Sequence, residues 1–164
     1  MPEIEDSYAD FRERLEALGL EPVLIGALAA GRYRLAPRAT TDVDFLVRRL
    51  GDLVGAMERD GFSVDVMAEP GEEPYVAFIR GKGVRVDVLV AETDYQREAL
   101  DRAVDGVLTV EDVLVHKLLA WRPRDRDDVA SILATGRPFD EGYVARWAEM
   151  WGVADRWAAA RPAG

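Results

Sequence analysis

Residues 75–90 read YVAFIRGKGVRVDVLV, two β-forming stretches on either side of Gly81-Lys82-Gly83. Glycines at both ends of so short a turn are hairpin chemistry, so residues 75–79 and 84–90 are predicted to pair as antiparallel neighbours. The second stretch is aliphatic or β-branched everywhere except Arg85 and Asp87, a composition that suits the inside of a sheet. A carboxylate in the middle of such a strand is costly unless it is paired or neutralised. The run that commits the chain to a sheet therefore also asks what Asp87 is for.

The elements around it follow from periodicity. Ile4, Tyr8, Phe11, Leu15 and Leu18 recur at helical spacing, and Gly19 stands where a C-terminal cap belongs, predicting a helix over 3–18. Residues 22–25 form a short apolar run that ends at Gly26 and gives way to helix-forming residues from Ala27, which reads as strand, glycine turn, helix. A strand over 43–47, a helix over 50–59 and a strand over 63–67 follow, then the loop residues 69–74. Beyond residue 94 the pattern is helical: 95–104, a helix capped by Thr109, 124–134 after Pro123, and tryptophan-rich helices over 140–150 and 153–160. Tyr143, Trp147 and Trp151 step by four, as a packing face would. The expected class is α/β (α+β), with an α/β core over 1–94 and a helical portion over 95–164 packed on it as one compact unit.

At 164 residues a single hydrophobic core is within reach. No apolar run approaches the length of a membrane span, the N-terminus lacks the features of a secretion signal, and there is no cysteine. The expectation is a cytoplasmic protein without disulfides or thiolate metal sites. A formal net charge of -10 argues against broad nucleic-acid binding, so a phosphate-bearing ligand needs a local cluster of positive charge.

In Arg38-Ala-Thr40-Thr-Asp42-Val-Asp44 two acids lie one residue apart at the start of a strand, where alternate side chains share a face. Converging hard oxygen donors favour Mg²⁺ or Mn²⁺, although the pair alone reads first as a solvated strand edge where Thr and Asp merely start the strand. Asp87 on another strand makes a third carboxylate, the set used in two-metal phosphoryl chemistry. Asp65 competes for that place, but its strand alternates as a half-exposed one does, which turns Asp65 to solvent. Gly26 before a helix lets backbone N–H groups approach phosphate oxygens, by itself a weak signal. Arg32, Arg34 and Arg38 offer positive charge, and Arg38 is the nearest to the acids in sequence. In the helix after Thr109, Lys117 falls within the apolar arc of Val110, Val113, Leu114, Leu118 and Trp121, while His116 and Asp112 fall on the polar side. An inward lysine needs a partner, and Asp125 and Asp128 flank the apolar face of the next helix while Asp127 points away. That group reads equally as a structural ion pair and as part of a catalytic site.

Taken together, Gly26, Arg38-x-Thr40-x-Asp42-x-Asp44, Asp87 and Lys117 followed by Arg122-x-Arg-Asp125-x-x-Asp128 resemble the nucleotidyltransferases with a polymerase-beta-like core, above all the abortive-infection toxin family called AbiEii and its small stand-alone relatives. The resemblance spans roughly residues 20 to 135. It implies a nucleotidyltransferase-type mixed sheet with helices, and transfer of a nucleoside monophosphate from a nucleoside triphosphate such as ATP. It further implies Mg²⁺ or Mn²⁺ on Asp42, Asp44 and Asp87, with Asp87 also taking the acceptor's proton. Gly26, Ala27, Arg38 and Thr40 would stand at the triphosphate, and Lys117 and Asp128 would complete the site. Acceptors in the family include transfer RNA, proteins and small molecules, and a toxin role would bring a cognate antitoxin; a homodimer is a further possibility and no membrane is implied. Gly26-Ala27 departs from the usual Gly-Gly or Gly-Ser, so a second flexible residue or a hydroxyl is missing there. The alternatives are a noncatalytic protein of the same fold that binds a nucleotide or a partner, and an aminoglycoside-type enzyme whose cationic acceptor suits an acidic chain.

Overall fold

A computed structural model describes residues 3–161. Five strands form one mixed sheet: β1 (Val23–Ile25), β2 (Val43–Val47), β3 (Ser63–Met67), β4 (Val76–Gly81) and β5 (Val84–Val90), in the order β1-β2-β5-β4-β3. The helices are α1 (Ile4–Ala17), α2 (Gly26–Gly31), α3 (Leu53–Arg59), α4 (Asp94–Arg102), α5 (Val110–Ala120), α6 (Pro123–Ala134), α7 (Glu141–Met150) and α8 (Ala154–Ala160). The predicted hairpin is present, with β4 antiparallel to β5 and Arg80 opposite Arg85. β2 lies parallel to β5 on its other side, so β5 is central, as its aliphatic composition requires.

The chain divides into two compact units. One comprises the described residues of Met1–Leu28 together with Ala39–Leu108; the other comprises Ala29–Arg38 and the described residues of Thr109–Gly164. In the first, one face of the sheet is core: Val43, Phe45, Val86, Val88, Ala77 and Ile79 are fully buried. Tyr8 of α1 stacks on Phe45 at 5.9 Å, and Phe11 meets Phe62 edge-on at 5.3 Å, so the apolar stripe of α1 is what covers the strands. The outer side of β1 is covered by the segment after α4, where Leu24 N–H donates to Gly106 O at 2.8 Å and Leu108 N–H to Leu24 O at 3.1 Å. β3 is the other edge. Its pattern is not the half-buried alternation expected, because Val66 and Met67 are 45% and 46% exposed, and Asp65 is exposed as predicted.

Side-chain caps close the starts of α4, α5 and α7. Thr93 accepts from Gln96 N–H at 3.1 Å while Gln96 Oε1 accepts from Thr93 N–H at 3.0 Å, closing a capping box on α4. Thr109 caps α5 as predicted, and Asp140 caps α7. Pro123 occupies the first turn of α6 instead of preceding it, where its missing N–H costs nothing. In the second unit α5 packs on α6 and α7, burying Val113, Leu114, Leu118, Val129, Ile132 and Val144. Three expectations change here. Asp112, placed on the polar side of α5 by periodicity, is fully buried and accepts a hydrogen bond from Tyr143 Oη at 2.6 Å. His116 is partly buried, and Trp151, expected in a packing face with Tyr143 and Trp147, is 41% exposed at the C-cap of α7.

Candidate active site

In the first unit the acids sit on the sheet face opposite the core residues. The parallel register sets Asp44 beside Asp87, and two residues further back, just before β2 begins, Asp42 meets Arg85. The antiparallel register continues these rows onto β4, placing Phe78 next to Asp87 and Arg80 next to Arg85. Neighbouring residues in register share a face, so the three carboxylates and two arginines form a small charged checkerboard on three adjacent strands. All three acids are partly buried.

Asp87 is the tightest of them. Its Oδ1 lies 2.8 Å from Arg80 Nη1, yet it is buried and accepts no hydrogen bond. The reason is directional: Nη1 carries two hydrogens, and these go to the backbone oxygens of Ile79 at 2.9 Å and Val86 at 3.3 Å. Asp87 thus gains Coulombic compensation but keeps an unused acceptor. Asp42, 39% exposed, accepts from Thr41 Oγ1 at 3.2 Å and pairs with Arg85 Nε at 3.2 Å. The Thr40 hydroxyl stays local, 3.4 Å from both the N–H and the carbonyl oxygen of Asp42. Gly26 opens α2 with φ +71°, directly against Asp44. A Cβ placed there would stand 3.0 Å from Asp44 Cγ and closer still to Oδ2, so only glycine leaves the carboxylate its space. Ala27 follows it, partly buried, in a helix of only six residues.

The second unit carries the other candidates. Lys117 Nζ lies 3.1 Å from Asp125 Oδ1 and 2.8 Å from Asp128 Oδ2, so the inward lysine has both of its proposed partners. Asp128, fully buried, also receives Arg38 Nη2 at 2.9 Å and Arg34 Nη1; Arg34 reaches the exposed Asp127 as well, at 3.1 Å. Asp125 accepts from Arg122, through Nε at 2.7 Å and the backbone N–H at 3.0 Å. Burial alone would raise the pKa of both acids; for Asp125 the bonds from Arg122 and Lys117, and for Asp128 those from Lys117 and Arg38, outweigh it and hold the carboxyls below the ordinary range. Burial pushes the pKa of His116 down to about 4, Lys117 adding to the effect and Asp112 opposing it. Arg34 and Arg38, read from sequence as phosphate contacts, are thus committed to Asp128. No signal along the chain announced that, because residues 34 and 128 meet only through the fold.

Whether a cation suits the acids can be judged from two features. Asp87 Oδ1 is a buried acceptor without a hydrogen, and the missing side chain of Gly26 leaves room at Asp44. Carboxylate oxygens are also the donors that Mg²⁺ prefers. The residues fit in chemistry and register, but they are not drawn together: among the described residues no three histidine, cysteine or acidic side chains gather into a ready set for a metal ion. Arginines hold two of the acids instead.

A five-stranded mixed sheet in this order, with its helices, is the nucleotidyltransferase-type fold. Two solved structures share it over most of this chain. The antibiotic-resistance factor ANT(2'')-Ia superposes with a TM-score of 0.56 at 17% identity, covering 88% of this chain and 88% of that one. An antigenic nucleotidyltransferase-like protein from Paracoccidioides brasiliensis gives 0.53 at 16% identity, covering 92% and 88%. Identities this low speak for the fold alone. No protein-family model and no curated protein matches the chain.

Proposed function

We propose that this chain is a nucleotidyltransferase that moves a nucleoside monophosphate from a nucleoside triphosphate to a hydroxyl-bearing acceptor. The observation that carries the reading is the register of β2 on β5, which sets Asp44 beside Asp87 on the face that Asp42 shares. Arg80 and Arg85 offset part of the repulsion among these acids, yet the buried Asp87 Oδ1 still accepts no hydrogen bond, which a purely structural ion pair would be expected to satisfy.

Asp42, Asp44 and Asp87 would hold Mg²⁺ or Mn²⁺. A divalent cation so bound neutralises charge on the triphosphate and makes an attacking hydroxyl more acidic. The acceptor oxygen attacks the α-phosphorus, its proton passes to Asp87, and pyrophosphate leaves. Gly26 leaves the Asp44 carboxylate its space, and the backbone around Gly26 and Ala27, with the Thr40 hydroxyl, would position phosphates. Within the second unit, Lys117 and Asp128 hold Arg38 in place. The acceptor is the open variable. A net charge of -10 and the likeness in fold to an antibiotic-resistance factor favour a cationic small molecule over a nucleic acid. A toxin role with a cognate antitoxin rests on the likeness of the Arg38-to-Asp128 motifs.

The test is incubation of the purified protein with each labelled nucleoside triphosphate, Mg²⁺, and a panel of transfer RNA, small proteins and aminoglycosides. Label is expected on one acceptor class, and Asp44→Asn should lower the rate by roughly 1000-fold or more with its melting temperature unchanged or raised. Full activity in that variant would sink the assignment.

A further inference from the structure

The charged face holds a feature that the acids do not explain. Arg80 and Arg85 are direct cross-strand partners, and like charges so placed repel. Their circumstances differ sharply. Arg80 is pinned: it donates to two backbone oxygens, lies 5.8 Å over the Phe78 ring and is 32% exposed. Arg85 is 59% exposed, and among the described residues its ion-pair partner is Asp42, through Nε at 3.2 Å. An exposed pair of that kind is weak, so the guanidinium is free to exchange it for a better anion.

The charge on the face says when it would do so. Three acids and two arginines leave one negative charge, and a divalent cation at the acids inverts its sign. Asp42 then satisfies the cation, and Arg85 loses its partner while standing beside another arginine. The nearest relief is an incoming polyanion, and guanidinium binds two phosphate oxygens at once. We propose that Arg85 is a positioning residue with two seats: it neutralises Asp42 while the acids are without a cation, and it moves to the phosphates of the nucleotide once a divalent cation displaces it. This rests on the proposed metal-binding role of the acids. The exchange makes cation and nucleotide binding mutually supportive, because each removes a cost of the other.

Mn²⁺ binding followed by electron paramagnetic resonance without nucleotide, and then binding of a nonhydrolysable nucleoside triphosphate analogue at saturating Mn²⁺, test the exchange in wild type, Asp44→Asn, Arg85→Ala and Arg85→Lys. Arg85→Ala should bind Mn²⁺ about 3- to 5-fold more tightly, since an exposed competitor is gone, and the analogue roughly 10-fold more weakly. Arg85→Lys should restore wild-type Mn²⁺ affinity and leave the analogue weakened, because an ammonium replaces the charge but not the two-point contact. Unchanged Mn²⁺ affinity in Arg85→Ala, or full rescue of analogue binding by lysine, would overturn the proposal. The Asp44→Asn arm separates the two levels: if it loses Mn²⁺ while Arg85→Ala is silent, only the role of Arg85 fails. If it binds Mn²⁺ as wild type does, the metal reading fails and takes the exchange with it.

Discussion

Gly26 and the Asp44 carboxylate compete for the same space, and the outcome decides what residue 26 has to be. With φ at +71° and Asp44 Cγ 3.0 Å from any added Cβ, Gly26→Ala suffers backbone strain and a steric clash together. We expect it to lose about 1–3 kcal/mol in chemical denaturation and to displace the acid it touches. The sequence marked Gly26 for a different reason, close approach of phosphate to backbone, and that reason says nothing about Asp44. The acids themselves were legible: a two-residue spacing on a strand puts Asp42 and Asp44 on one face whatever the fold around them. Their partners were not. Arg80 and Arg85 became visible only through cross-strand register, and Arg34 only through the meeting of residues far apart in the chain. Asp112 was misplaced because helical periodicity ranks faces by their average polarity, whereas hydroxyl hydrogen bonds from Tyr143 and Thr109 satisfy a buried carboxylate that the average assigns to solvent.

At the scale of elements, α5 and α6 are held by a core of apolar side chains crossed by the Lys117–Asp125–Asp128 network. Its titration gives the pH dependence of stability a definite sign. His116 keeps its full contribution above its ordinary value of 6.5, where it is neutral folded or unfolded. As pH falls toward about 4, only the unfolded chain gains the proton, so stability declines. Asp125 and Asp128, held below 3.8 in the fold, contribute fully above that value and lose their contribution as pH drops further and protonates them. Melting temperature followed against pH should therefore fall in two stages, and His116→Gln should remove the first. As the sole histidine, His116 is also directly assignable in an NMR titration, which should return a value near 4. Most elements were readable along the chain: β3 and β5 have the predicted bounds, and Thr109 caps the helix it was assigned. Local signals suffice where turn glycines, caps and periodicity agree. They fail at Trp151, which keeps the four-residue step, its N–H bonded to Trp147 O at 2.9 Å, yet lies 41% exposed at the C-cap of α7.

For the whole molecule, an excess of ten negative charges makes cations a general stabiliser, so a specific site has to be told from screening. Mg²⁺ at about 100 times its dissociation constant should add ~2.7 kcal/mol, seen as a rise of roughly 5–11 °C in melting temperature. The same ionic strength in Na⁺ should give less, and Asp44→Asn should lose the difference. An equal rise in that variant would place the effect in bulk screening. No helix among the described residues is long and apolar enough to cross a membrane. The sequence alone determined the kinds of element, the hairpin of β4 and β5, the shared face of Asp42 and Asp44, and the need of Lys117 for an acid, because each depends on neighbours within a few residues. Only the tertiary structure decided that Ala29–Arg38 belongs with the C-terminal helices, that Asp44 stands beside Asp87, and that arginines occupy Asp42, Asp87 and Asp128. Those outcomes depend on strand register and on contacts across ninety residues of chain, where many pairings satisfy the same local pattern and packing selects one.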